Sequence, residues 1–271
     1  MARFEHFEEC MGTVFRFAGN HDLPQSDFDE AISLATSLLH RADQIFSLYK
    51  PESPLSRLAR GETSVAQLPP VVEEIWDECE RWERETDGWF SAFTPQNTFD
   101  PSGVVKTWAA KKAADQLLSA GIVDFTVNAG GDVWISDATT ERNDWRIGIS
   151  TPVTIASPQA GVLTVVDLFG TEYRAMATSG SAERGEHIWN PKAPGKAPAN
   201  ELVQISVIAK DLVEADVWAT AAFALGDRAI SALNARNAAN PQNQIQAIAV
   251  WPDGNLDGTE GFIDLLAKAS H

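Results

Sequence analysis

Phe99 to Ser136 reads FDPSGVVKTWAAKKAADQLLSAGIVDFTVNAGGDVWIS, and few stretches of this length leave a chain so little freedom. Val104, Val105, Trp108, Ala109, Ala113, Leu117 and Leu118 recur at three- and four-residue spacings, which predicts a helix with one apolar stripe. Gly121 stands where a left-handed C-terminal cap is expected. Phe125 to Asn128 then alternates as a strand, Ala129-Gly130-Gly131-Asp132 interrupts it, and Val133 to Ile135 resumes. That pattern predicts a hairpin with a glycine pair at its tip.

The same stretch carries the first candidate chemistry. Asp100-Pro101-Ser102-Gly103 is turn chemistry: Asp and Ser bond their own backbone, Pro fixes φ, and Gly lets the main chain approach a ligand. Paired glycines at Gly130 and Gly131, next to Asp132, suit a place where bare backbone meets a phosphorylated ligand, although the same residues also serve as a plain turn. Lys106, beside Asp100, fits a surface ion pair and a phosphate contact equally well.

A chain of 271 residues can bury a sizeable core. No segment approaches the roughly 20 apolar residues that span a bilayer. The start, MARFEHFEECMGTVFRF, has acidic residues and Phe where a signal peptide has a basic flank and a long apolar run, so the expectation is a soluble, cytoplasmic protein without membrane insertion. A formal net charge of −17 argues against nucleic acid as a partner. It also argues against unaided capture of a phosphate, so a nucleotide ligand would need a bridging divalent cation. Cys10 and Cys79 have no metal spacing and form no disulfide framework; buried thiols are expected.

Along the chain, Met11 to Phe17 alternates as a first strand, opened by Met11-Gly12-Thr13. Ser26 and Asp29 resemble a capping box for a helix reaching about Leu48, with Phe28, Ile32, Ala35, Leu38, Leu39, Ala42, Ile45 and Phe46 inside. A proline-bearing loop follows, in which Tyr49 either stacks on a ring or covers the helix end. Pro69-Pro70 opens a second helix that closes at Asp87-Gly88, and Trp89 to Phe93 reads as a short aromatic strand. Strands are expected over Asp144 to Ser150, Gly161 to Leu168 and Tyr173 to Ala177, the last ending in an anion-friendly turn at Thr178-Ser179-Gly180-Ser181. His187, in His187-Ile188-Trp189-Asn190-Pro191, is the one histidine inside a structured motif and reads as either a hydrogen-bonding side chain or a catalyst. Leu202 to Ile208 is a strand, and a helix then carries Ala215 to Leu225.

Asp216 and Thr220 in that helix are spaced i, i+4, which puts a carboxylate and a hydroxyl on one face. Two hard oxygen ligands facing one way suit Mg²⁺, with carbonyls, water and phosphate completing the shell; a buried hydrogen-bonded Asp fits the same spacing. Ala247 to Trp251 is a last clear strand. Strands and helices interleave, and many strands meet through hairpin turns, so the fold expected is α+β with a mostly antiparallel sheet. No linker or repeat divides the chain, and residues 1–271 read as one domain.

Taken together, Met11-Gly12-Thr13, FSLYKPESPLSRL, TDGWF, DPSGVVKTWAA, VNAGGDVWIS, ATSGSAERG, HIWNP and SVIAKDLVEADVWATAAFALG resemble the ApbE family of FAD:protein FMN transferases in identity and order. The resemblance implies a T-fold-like pseudo-barrel of α+β subdomains. It implies an enzyme that binds FAD and Mg²⁺ and moves FMN onto a Ser or Thr hydroxyl of a partner flavoprotein, releasing AMP. By the family's pattern Asp216, Thr220 and the Gly103 carbonyl would hold Mg²⁺. Met11, Tyr49, Trp89, Phe90, Ser91, Asp100, Lys106 and Ile188 would line the FAD. The turns containing Gly130, Gly131 and Asp132, and Thr178, Ser179 and Gly180, would shape the site, His187 would assist deprotonation of the acceptor, and Lys106 would add charge stabilisation.

The chain departs from that pattern in four places. Ser91 stands where an acidic residue usually follows the GWF-like segment, Asn190 replaces Asp before Pro191, Ala219 stands where some members carry a further metal-binding Asp, and the Phe93 to Asp100 segment is short. Two alternatives therefore stay open: an FAD-binding module without transfer, and a metal-dependent FAD pyrophosphatase giving FMN and AMP.

Overall fold

The computed structural model describes residues 1–152, 161–180, 189–192 and 202–266. The chain divides into two compact units, residues 1–131 with 136–139, and residues 132–135 with 140–271. Within each, every strand pairing described is antiparallel, as expected for an α+β fold.

The first unit opens with a hairpin, β1 (Ala2–Cys10) and β2 (Thr13–His21). Met11-Gly12 is its two-residue turn, both residues at positive φ. The pairing runs the full length from Ala2 to His21, so the strand expected at Met11 is the second strand of the fold; the acidic, alternating start of the chain is the first. Helix α1 (Gln25–Phe46) buries Ile32, Ala35, Leu39, Ala42, Ile45 and Phe46, the expected face. Its capping box does not form: Pro24 is the N-cap, and Ser26 lies one residue inside the helix, donating to the Asp27 carboxylate at 2.9 Å.

The loop after α1 contains a helix the two prolines conceal, α2 (Pro54–Ala59). Ser53 caps it by accepting from the Ser56 amide, and Pro54 occupies the first turn, where a missing N–H costs nothing. Helix α3 (Pro70–Glu85) buries Val72, Ile75, Cys79 and Trp82. The segment Trp89 to Phe93 is not a strand; it is a turn held by one bridge, Phe93 to Phe99, and by packing of Trp76 against both rings. Aromatic residues there satisfy each other instead of a ladder. Helix α4 (Ser102–Ser119) packs on α1 and leads through Gly121 into β3 (Asp124–Ala129), which pairs with β2.

The second unit holds β4 (Asp132–Ile135), β5 (Arg146–Ser150), β6 (Val162–Asp167), β7 (Ala175–Gly180), β8 (Gln204–Ala209), β9 (Gln246–Val250) and β10 (Leu256–Gly258). Within it the order is β4-β7-β8-β9-β10, and β5 with β6 forms a separate ladder. Helix α5 (Leu212–Leu225) packs on β7 and β8, and α6 (Ala229–Ala239), which periodicity had not revealed, packs on α5 and β9.

Strand alternation decides what faces what. Met176, Ile208 and Ile248 join Ile147, Ile149 and Val166 in one buried cluster, so that side of the sheet is covered by β5 and β6. The other row, Ala175, Ala177, Val207, Ala209, Ala247 and Ala249, is small and fully buried, which lets α5 approach closely. Among the described residues no helix is long and apolar enough to cross a membrane. Both cysteines are buried free thiols; burial, with Asp43 nearby, pushes Cys10 up to about 11, and burial raises Cys79 further.

Candidate functional site

In the first unit the structure brings together motifs far apart in sequence. The Gly130 amide donates to the Val14 carbonyl at 3.1 Å, so the glycine pair lies on the Met11-Gly12-Thr13 turn. Gly130 has φ +66°, and a Cβ there would sit 2.2 Å from Thr13 Oγ1; only glycine fits. The next amide, Gly131 N–H, donates to Asn128 Oδ1 at 2.8 Å.

A second group forms around the start of α4. The Asp100 amide donates to the Ala92 carbonyl at 2.7 Å, and Asp100 Oδ1 accepts from the Ser102 amide at 3.1 Å. The carboxylate thus satisfies one of the orphan donors of the helix N-terminus. Phe90, fixed by its amide on Thr86 Oγ1 at 3.0 Å, lays its ring against Gly103: a Cβ on Gly103 would stand 3.0 Å from Phe90 Cε2. The GWF segment and the DPSG turn are therefore one structure. Ser91 Oγ accepts from the Phe93 amide at 3.2 Å, Trp89 is half-buried beside Phe90, and Lys106 is half-buried in the first turns of α4. Tyr49 stands apart, its side chain 97% exposed.

In the second unit, Thr178, Ser179 and Gly180 belong to β7, so the turn expected there is a strand. The reason is the ladder with β8, which continues to Gly180–Gln204; small hydroxyl residues pair as readily as others where both neighbours are strands. The consequence is that these residues point alternately. Thr178 shares the Met176 side and pairs its hydroxyl with that of Ser206 at 2.8 Å, whereas Ser179 lies on the α5 side. Asp132, only 2% exposed, accepts from the Thr178 amide at 3.1 Å and shares the parity of Trp134.

Asp211 begins α5 as its N-cap, accepting from the Val213 amide at 2.8 Å and the Glu214 amide at 3.2 Å. Every residue of α5 but Thr220 is buried, Asp216 being 6% exposed. Thr220 is therefore the point at which the helix meets its surroundings, and the carboxylate one turn before it lies just inside. A carboxylate and a hydroxyl are hard oxygen donors, which fits Mg²⁺. Among the described residues no three His, Cys, Asp or Glu side chains converge, so an ion here would share its shell with carbonyls, water or a ligand's oxygens, as Mg²⁺ usually does. His187 and Ile188, with Ser181, lie outside the described residues.

Residue-by-residue reading missed Ser206, Glu214 and Arg236. Ser206 was legible only as a polar residue inside the apolar run of β8. Glu214 and Arg236 meet through α6, an element the sequence had not disclosed.

Comparisons with known proteins converge. The model described as the ApbE family matches residues 92–248. A curated FAD:protein FMN transferase of Klebsiella pneumoniae is 29% identical over 147 residues, 52% of this chain and 44% of that protein. One of Escherichia coli (strain K12) is 30% identical over 140 residues, 49% of this chain and 38% of that protein. The matched part thus spans less than half the length of these relatives. The solved structure of the flavin transferase ApbE from Vibrio cholerae superposes with a TM-score of 0.78 at 20% identity, covering 98% of this chain and 99% of that one. The ApbE protein from Thermotoga maritima gives 0.77 at 18% identity, covering 98% and 100%. At those identities the likeness establishes the fold, the mixed α+β architecture of the ApbE structures.

Proposed function

Because the chain belongs to the ApbE family, we propose that it is an FAD:protein FMN transferase: it moves the FMN half of FAD onto a Ser or Thr hydroxyl of a flavoprotein acceptor and releases AMP. The observation that carries the reading is Asp216 buried one turn before Thr220, the single partly exposed residue of α5. The family match supports it, since Asp100, Gly103, Lys106, Gly130 to Asp132, Thr178 to Gly180, His187, Asp216 and Thr220 all fall within residues 92–248.

In this reading Asp216, Thr220 and the Gly103 carbonyl would hold Mg²⁺. When bound, the ion would neutralise the pyrophosphate oxygens and favour departure of AMP. Met11, Tyr49, Trp89, Phe90, Ser91, Asp100, Lys106 and Ile188 line the FAD, and the exposed ring of Tyr49 is free to lie on a planar group. Lys106 offsets developing negative charge. A ring nitrogen of His187 takes the proton of the acceptor hydroxyl as its oxygen bonds to phosphorus and the P–O–P linkage breaks. The whole chain acts as one transferase domain, working in the cytoplasm.

The test is incubation with FAD, Mg²⁺ and a flavoprotein carrying an acceptor Ser or Thr, with mass spectrometry of the acceptor and assay of AMP. Flavinylated acceptor with equimolar AMP is expected. AMP with free FMN and no acceptor adduct identifies a pyrophosphatase, and intact bound FAD alone identifies a binding module; either result overturns the proposal.

A further inference from the structure

A helix buried nearly all round has a problem that an amphipathic helix does not. α5 carries apolar or small residues on every side, including Ala215, Ala219, Ala221 and Ala222, and packs on a sheet face made largely of alanines. Hydrophobic patterning therefore does little to choose its rotation, because each rotation buries similar surface. Yet a metal site on Asp216 and Thr220 needs one rotation.

We infer that the Arg236–Glu214 pair is the positioning device that sets the rotation of α5 and with it the direction in which Asp216 and Thr220 face; this rests on the magnesium-dependent reading above. Arg236 Nη2 donates to Glu214 Oε1 at 2.8 Å, and both side chains are largely buried, at 13% and 8% exposure. Glu214 Oε1 also accepts from Asn243 Nδ2 at 2.8 Å, while Arg236 Nη1 donates to the Asn243 carbonyl at 2.6 Å. The carboxylate is thus tied to α6 and to the turn after it at once. One turn along α5, the Arg236 guanidinium lies over the Trp218 ring, 5.1 Å from its centroid. Glu214 and Trp218 occupy one side of the helix; at 3.6 residues per turn, Asp216 and Thr220 lie about 200° and 240° around from Glu214. One arginine therefore grips two successive turns on the side away from the metal ligands.

Energy favours the same interpretation. A buried ion pair is a poor source of stability, because desolvation consumes most of the Coulombic gain, and apolar residues of equal volume commonly do as well or better. What a directional pair adds is a unique arrangement, which is what a helix without a polar face lacks.

The experiment compares wild type with the double variant Glu214→Met/Arg236→Met, and with Arg236→Lys and Asn243→Ala. Thermal unfolding is measured beside the Mg²⁺ concentration that half-saturates FAD binding, read by calorimetry without an acceptor. The double variant is expected to keep or raise its Tm while needing about tenfold or more Mg²⁺. Arg236→Lys, which keeps the charge and loses the fork, and Asn243→Ala, which removes one tie to Glu214, should each shift it in the same direction by less. Should the double variant not fold, the two single variants decide the matter by the same readout. Folded variants that half-saturate at the wild-type concentration overturn the inference while leaving the function intact. A wild-type protein that binds FAD with no response to Mg²⁺ sinks the functional reading first, and the inference with it.

Discussion

The Thr178 amide donates to the Asp132 carboxylate at 3.1 Å, joining β7 to the first residue of β4 at a position where Asp132 is almost wholly enclosed. A carboxylate that accepts from a backbone amide in such surroundings is held by it. Asp132→Ala is expected to cost about 1 kcal/mol, because the half-buried Thr178 amide loses its acceptor, whereas Asp132→Asn keeps an acceptor oxygen and costs less. Urea unfolding of the two variants checks the order; equal losses would mean that charge, not the amide bond, is what matters there.

Gly130 permits a sharper steric prediction. An alanine methyl would overlap Thr13 Oγ1, and φ at this position is +66°, so Gly130→Ala carries both a clash and a left-handed backbone. A loss of about 2–3 kcal/mol is expected, and Thr13→Ala in the same chain should return part of it by removing the hydroxyl. A double-mutant cycle in which Thr13→Ala recovers nothing would leave backbone strain as the whole cause.

These two positions also mark how much was legible beforehand. Short-range signals are reliable where one residue type has one physical use: Gly121 ends a helix at positive φ, and Gly130-Gly131 turns the chain between β3 and β4. Polar segments mislead where tertiary pairing decides. Thr178 to Gly180 reads as a turn until β8 lies beside it, and Ser53-Pro54 reads as a helix stop although Ser53 caps a new helix. α6 was missed because its buried residues, Ala229, Ile230, Leu233 and Asn237, include one polar side chain. That Asn237 bonds both backbone groups of Ile245, a pairing no periodicity foretells. For the candidate site, the i, i+4 spacing of Asp216 and Thr220 was visible, but that Thr220 is the one residue of α5 not buried required the fold.

Asp216 and Thr220 separate function from stability. Alanine is the best helix former, so Asp216→Ala keeps the helix, and its thermal unfolding is measured beside its turnover. Mg²⁺-dependent release of AMP from FAD should fall on the order of 10²-fold or more. Thr220→Val preserves shape and loses only the hydroxyl; its turnover should recover partly at raised Mg²⁺, which Asp216→Ala should not. Normal turnover of Asp216→Ala at wild-type Mg²⁺ would remove that carboxylate from the metal site.

Far along the chain from those residues, Glu8 gives the first unit a measurable acid response. Burial alone would raise its pKa, but His40 Nε2 lies 2.7 Å from one carboxylate oxygen and His6 Nε2 3.2 Å from the other, and these bonds hold Glu8 below the ordinary 4.5. A carboxylate whose pKa is lowered on folding contributes stability that is present above its unfolded pKa and lost as pH falls through the folded one. The contribution that Glu8→Gln removes should accordingly be present at about pH 5 and shrink in more acid solution. His40 Nδ1 lies 3.7 Å from Cys10 Sγ, so the row Glu8–His40–Cys10 ties α1 to β1, and His40→Ala should abolish most of the same acid dependence. Urea unfolding of wild type, Glu8→Gln and His40→Ala between pH 3 and 7 measures it. Parallel curves for wild type and Glu8→Gln across that range would show that the carboxylate titrates alike in the folded and unfolded chain.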